Sequence, residues 1–225
     1  MSLSKPSTSA VTSVSDYFAD VWMRMCKRWG IRPVPLVQGL SLWLGWSGLT
    51  WLAFGLSLVV VEVGERGDIS LAEGLLGGSL IGLAQWVMIR RHLQRAYRWI
   101  AVSALGWGWL ALFHIGALGW IAPDTLSLTA RVWFGLLYGF YVGLVLGLGQ
   151  WWVMRQSIAR AWRWALLSAG IWSVSMAFGW LIGGCLRRVS DLFVAEVFGL
   201  AVAWGLTAAL SGVAVVGMVY QLDNR

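Results

Sequence analysis

Six stretches of this chain, near residues 37–61, 71–90, 98–121, 131–154, 164–185 and 193–220, are long and apolar, with no Asp, Glu, Lys or Arg near their middles. A bilayer core of roughly 30 Å takes about 20 apolar residues as helix, and inside it each backbone polar group has to be bonded within its own segment. The pattern predicts an all-α fold, a polytopic membrane helix bundle with six transmembrane helices. Composition points the same way: 59% of the residues are hydrophobic and 12% charged, which excludes an ordinary water-soluble domain. The 28 glycines and 18 tryptophans suit helix contacts and interface anchoring in lipid.

Charge gives an orientation. With the first 36 residues inside, thirteen Lys and Arg fall on the cytoplasmic side and four outside, namely Arg66, Arg131, Arg187 and Arg188. The positive-inside rule then places the N- and C-termini in the cytoplasm. The net charge of +7 resides in these loops, and no soluble basic face exists to take nucleic acid. The first span starts near residue 37 without a short core or cleavage site, so it is expected to stay in the membrane.

Ahead of the spans, residues 1–13 are Ser/Thr-rich and expected to be disordered. Residues 14–32 read as an amphipathic helix. Phe18, Val21, Trp22, Met25 and Trp29 recur at helical spacing opposite Asp20, Arg24, Lys27 and Arg28, and Pro33 and Pro35 end the segment. Such a helix lies on the membrane surface, or docks on the protein's own loops or on a partner. The six-helix domain occupies 37–221.

The chain also repeats itself. Sliding it along itself, without a gap, until Gly78 falls on Gly143 superimposes Gly78, Gly82, Leu83, Gln85, Trp86, Arg90, Arg95, Ala96, Arg98, Trp99, Ser103, Ala104 and Trp107 on identical residues from Gly143 to Trp172, thirteen identities in thirty positions. The unit is a hairpin: a glycine-rich span, a nine-residue basic turn, and a span that opens on Trp. Leu44, Gly45 and Trp46 echo Leu105, Gly106 and Trp107, and Gly212 echoes Gly147. Three tandem two-helix repeats, near 37–90, 98–155 and 163–221, are the expected organisation, related by an axis along the membrane normal. Gly74, Gly78 and Gly82 form one row at four-residue spacing, and Gly135, Gly139, Gly143 and Gly147 a second. Such rows allow close helix contact.

Within the motif, Gln85 and Gln150 share the glycine face and need buried partners. Counting from the turns puts Gln85 level with Ser103, and Gln150 level with Ser168, so each Gln is expected to clasp that Ser or a backbone carbonyl of its hairpin partner. Arg90, Arg91, Arg95 and Arg98, with Arg155, Arg160 and Arg163, form two basic collars beside Trp86, Trp99, Trp151, Trp152, Trp162 and Trp164. They anchor the topology, and a sharper role is binding anionic lipid head groups or an acidic partner surface. Trp46, Trp107 and Trp172 are expected near the midplane as an aromatic layer. Packing explains such a layer by default; a flat apolar ligand such as a quinone or a pigment is the alternative.

Several tempting signals lead nowhere. His114 is the one histidine within a span and a candidate pigment ligand, but Gly179 occupies its equivalent position. Gly45-Trp46-Ser47-Gly48 has the form of the rhomboid protease motif, yet it lies in the first span and the sixth carries no histidine base. Lys5 and Lys27 both precede the spans, which excludes a retinal protein. The signature of mitochondrial carriers is absent, and Cys26 and Cys185 fall on opposite sides of the membrane. Glu73, Arg131 and Glu196 are the charges nearest to being embedded. Arg131 and Glu196 are separated by the same offset as Gly78 and Gly143, so they are equivalent in the repeat and placed to pair. No nucleophile with a base, metal cluster or carboxylate pair shares a face, so neither catalysis nor a metal is expected, and no cofactor is required.

The pattern Gln-Trp-x-x-x-Arg, then Arg-Ala-x-Arg-Trp after four residues, then Ser-Ala, resembles a group of Trp-rich multi-pass bacterial membrane proteins found chiefly in cyanobacteria and related phototroph-containing lineages. The group has no assigned function. The resemblance implies a bacterial inner membrane, or a thylakoid-type membrane where the cell has one. Two functions are weighed: a non-enzymatic scaffold or accessory subunit that associates with other membrane subunits and binds lipid or pigment, and a carrier or binding component for an uncharged or apolar small molecule.

Overall fold

The computed structural model describes residues 36–63, 69–113 and 119–220, and the side chains of 37–63 within the first of these. The expected disordered segment 1–13, the amphipathic helix 14–32 and His114 lie outside the described residues. The rest is helical: α1 Leu36–Ser57, α2 Leu71–Ile89, α3 Arg98–Leu112, α4 Leu128–Met154, α5 Arg163–Ser190 and α6 Val194–Val219. Among the described residues there is no strand. Four helices, α2, α4, α5 and α6, are long and apolar enough to cross a membrane. The other two expected spans are shorter than read from sequence. α1 ends at Ser57, and α3 has 15 residues, roughly 22 Å of helix, before the undescribed stretch 114–118.

Helix starts follow local chemistry. Ser70 and Glu73 form a reciprocal capping box at the head of α2, and the Ser127 hydroxyl caps α4. α2 runs into α3, and α4 into α5, through turns of one conformation. In each, an Arg takes the left-handed region, Arg95 at φ 52° and Arg160 at φ 61°. The same amides close both turns: Arg90 N–H donates to Trp86 O and Arg155 N–H to Trp151 O, while Arg98 N–H donates to Arg95 O and Arg163 N–H to Arg160 O. A further bond, from Gln94 N–H to Ser157 Oγ at 3.2 Å, ties the two turns together.

Both glycine rows lie at close helix contacts. A Cβ on Gly139 would stand 2.6 Å from Trp172 O, and one on Gly143 would strike Ser168 O and lie 2.8 Å from Ala169 Cα. Gly78 faces Ser103 O and the Trp107 side chain in the same manner at 2.8–2.9 Å. A third seam joins α5 to α6, where Gly199 rests on Gly179 and Gly183. α1 is attached differently, by side chains that span a wider gap. Trp43 Nε1 donates to Ala209 O, Trp51 Nε1 to Ala201 O and Ser47 Oγ to Ala208 O of α6. The serine of the discarded protease-like motif is thus committed to a backbone carbonyl.

Gly143→Val is expected to force α4 from α5 and destabilise the bundle by roughly 1–3 kcal/mol or more, the ordinary range for overpacking. Gly170, with nothing within 4 Å of its Cβ position, provides the control, and Gly170→Ala should be silent. Thermal unfolding of both variants in detergent, followed by near-UV circular dichroism, checks this.

Candidate functional site

The close glycine contact determines which side chains face each other across a hairpin. The Ser103 side chain packs against Gly82, its Cβ 2.9 Å from where a Gly82 Cβ would be, and Ser168 packs on Gly147 in the same way. One turn nearer the basic end, Gln85 therefore meets Trp99 and Gln150 meets Trp164. Trp99 Nε1 donates to Gln85 Oε1 at 2.9 Å, and Trp164 Nε1 donates to Gln150 Oε1 at 2.8 Å. The expected Gln–Ser clasp is corrected accordingly: each glutamine does clasp its hairpin partner helix, but the partner is the indole that opens it. An indole N–H can only donate, and the amide oxygen at its level accepts. The Ser103 hydroxyl is buried and has no partner among the described residues.

These bonds belong to the first of two tryptophan layers. Trp99 packs against Trp164 at 6.0 Å between ring centroids and against Trp46 at 6.1 Å. Trp46 Nε1 donates to Ser211 Oγ of α6 at 2.9 Å, so three indoles in this layer each have an acceptor. The second layer gathers Trp107, Trp172 and Trp204, with centroids 5.0–5.9 Å apart, and Trp120 on its flank. Trp204 Nε1 donates to Gly119 O and Trp120 Nε1 to Ser57 Oγ. The single layer expected from Trp46, Trp107 and Trp172 is thus divided: Trp107 and Trp172 share one layer, and Trp46 lies in the other. α1 takes its depth from the anchors of Trp43 and Trp51 on α6 and not from the local Leu-Gly-Trp match. Trp204 fills the third place, and the residues that precede it by one and two times the offset from Gly78 to Gly143, Gly139 and Gly74, carry no sign of this.

Between the layers lies a small chamber of ≈ 30 Å³. Gln85, Ser103, Gln150, Ser168, Thr207 and Ser211 supply its polar lining. Ile81, Leu146 and Ser211, spaced in sequence by the offset that relates Gly78 to Gly143, all border it.

The basic turns lie at one end of the bundle, with Arg90, Arg95, Arg155, Arg160 and Arg163 exposed and Arg98 half-buried. Three of these arginines lie over indole rings: Arg90 over Trp86 at 5.4 Å, Arg155 over Trp151 at 5.7 Å, and Arg98 over Trp152 at 5.2 Å. Beside them opens a groove of ≈ 530 Å³, where apolar Leu42, Val87 and Met88 meet Arg90, Arg91 and His92.

A buried ion pair lies away from both layers. Arg131 donates to both carboxylate oxygens of Glu196 at 2.7 Å, and neither side chain is more than 1% exposed. The remaining guanidinium protons reach Thr125 O, Pro123 O and Trp180 O. Arg187 approaches Glu196 Oε1 at 3.5 Å. The network ties the loop before α4 to α5 and α6, so the pair expected from repeat spacing serves as a structural tie. Among the described residues no three His, Cys, Asp or Glu side chains gather as a metal site.

The chain matches no protein-family model, no curated protein and no solved structure.

Two variants test these bonds. Gln85→Leu leaves the Trp99 indole unpaired and should cost about 1–3 kcal/mol, and adding Trp99→Phe should recover part of it, with a coupling of roughly 0.6–2 kcal/mol. Arg131→Met strands the Glu196 carboxylate and should cost about 3–5 kcal/mol, more than the pair Arg131→Met with Glu196→Leu. Reversible unfolding in detergent measures both cycles.

Proposed function

We propose that this chain is a non-enzymatic integral membrane protein, a scaffold or accessory subunit of a membrane complex that takes anionic lipid at its basic end. In this reading all six helices traverse the membrane as three tandem hairpin repeats, and the arginine-rich turns and both termini face the cytoplasm. The two matching turns and the three repeat-equivalent residues around the chamber support the repeat. The protein then resides in the bacterial inner membrane, or in a thylakoid-type membrane where one is present.

The observation that carries the scaffold reading is the filled axis. Two tryptophan layers occupy it and leave a chamber of ≈ 30 Å³. Drug-sized ligands occupy pockets of about 300–1,000 Å³, so a carrier for a small organic molecule would need a far larger chamber. Outward, the bundle presents Trp51, Trp109, Trp133, Phe134, Phe140 and Phe178, all exposed, to lipid or to neighbouring subunits. The groove beside the turns combines apolar walls with arginines, the chemistry that an anionic lipid head group and its upper acyl chain require.

Native mass spectrometry of the full chain in mild detergent, with an absorption spectrum, tests the reading. Stoichiometric co-purifying membrane protein is the expected result; a bare monomer holding one small colourless molecule would overturn it in favour of a carrier. For the lipid component, the double variant Arg90→Gln/Arg91→Gln at the wall of this groove should retain roughly 30-fold less phosphatidylglycerol, at about 1 kcal/mol per arginine near the surface. Equal retention by variant and wild type would count against it.

A further inference from the structure

The chamber between the tryptophan layers has the wrong chemistry to be dry. Ser103 Oγ and Thr207 Oγ1 are both buried, both at its wall, and have no hydrogen-bond partner among the described residues. Gln85 and Gln150 accept an indole proton at their amide oxygens, while each amide nitrogen carries two further protons to donate. Empty cavities in proteins are apolar, whereas a polar one with at least about 10–15 Å³ of room takes water that bonds two to four groups. At ≈ 30 Å³ this chamber clears that size. No Asp, Glu, Lys, Arg or His is among its lining residues, so its chemistry suits a neutral ligand that both donates and accepts.

We infer that the chamber is a binding site for ordered water, about one to two molecules, held by the Ser103 and Thr207 hydroxyls and the amides of Gln85 and Gln150. The site joins helices with no shared glycine seam, since Ser103 belongs to α3 and Thr207 to α6. The bound water completes hydrogen bonding between the two tryptophan layers. The inference does not depend on the scaffold reading, because it concerns the interior and not the surfaces.

An experimental structure of the full chain at about 2 Å, together with magnetic relaxation dispersion of ²H and ¹⁷O on the protein in detergent, provides the test. The expected result is a density peak within about 2.6–3.2 Å of Ser103 Oγ or Thr207 Oγ1, with long-lived internal water in the dispersion. Ser103→Ala/Thr207→Val should lose that peak and lower the long-lived water count by about one to two. A dry chamber, hydroxyls turned onto backbone carbonyls, or an organic molecule in the peak would each overturn the proposal. So would a dispersion unchanged in the double variant. If that variant does not fold, the wild-type map and dispersion decide alone.

Discussion

Backbone contact between glycine and the facing helix governs the interior of this protein. Where Gly143 meets the backbone of Ser168 and Ala169, and Gly78 that of Ser103, no side chain separates the helices. In lipid, where apolar burial between helices contributes little, such contact supplies dispersion attraction at short range. It also sets the relative depth of the two arms of a hairpin. Once Ser103 sits on Gly82, the indole of Trp99 comes level with the amide of Gln85, and the same displacement brings Trp164 to Gln150. The Trp99 and Trp164 places in the first tryptophan layer follow from these two bonds.

The two attachment modes in the bundle differ in consequence. Hairpins α2–α3 and α4–α5, and the seam α5–α6, are joined by backbone approach. α1 is held on α6 by the indoles of Trp43, Trp46 and Trp51 and the hydroxyl of Ser47. Across this wider gap the Trp43 and Trp51 indoles donate to carbonyls that also accept helical bonds, and the Trp46 indole donates to the Ser211 hydroxyl. The polar chamber lies between the layers, bordered by residues from both kinds of junction. Its size is that of a filled core, and the contacts with lipid and other subunits proposed above fall to the outer surfaces.

The Arg131–Glu196 pair shows how an ionised network is accommodated in so apolar a chain. Each carboxylate oxygen receives a guanidinium proton, and the other protons reach three backbone carbonyls. A buried charge left unpaired would be severely unfavourable, and complete satisfaction is what makes this one tolerable. The network also engages the carbonyls of Pro123 and Thr125 in the irregular loop before α4.

Much was legible in the sequence because it depends on local pattern. Apolar runs and their flanking charges marked the helices, with α2 and α4 to α6 near their expected limits. Identity at one fixed offset marked the two hairpins, whose turns close alike, and the same offset linked Arg131 to Glu196. What the sequence could not carry is depth. Whether Gln85 meets Ser103 or Trp99 depends on a shift of one helical turn, and that shift comes from a glycine contact between segments. Trp46 joins Trp99 and not Trp107 because α1 is seated by α6, a helix from the far end of the chain. Trp204 completes a layer, although the residues one and two such offsets before it, Gly139 and Gly74, are glycines. Helices and hairpins are determined by residues near one another in sequence; the aromatic layers and the chamber between them exist only once those helices have slid to their final depths.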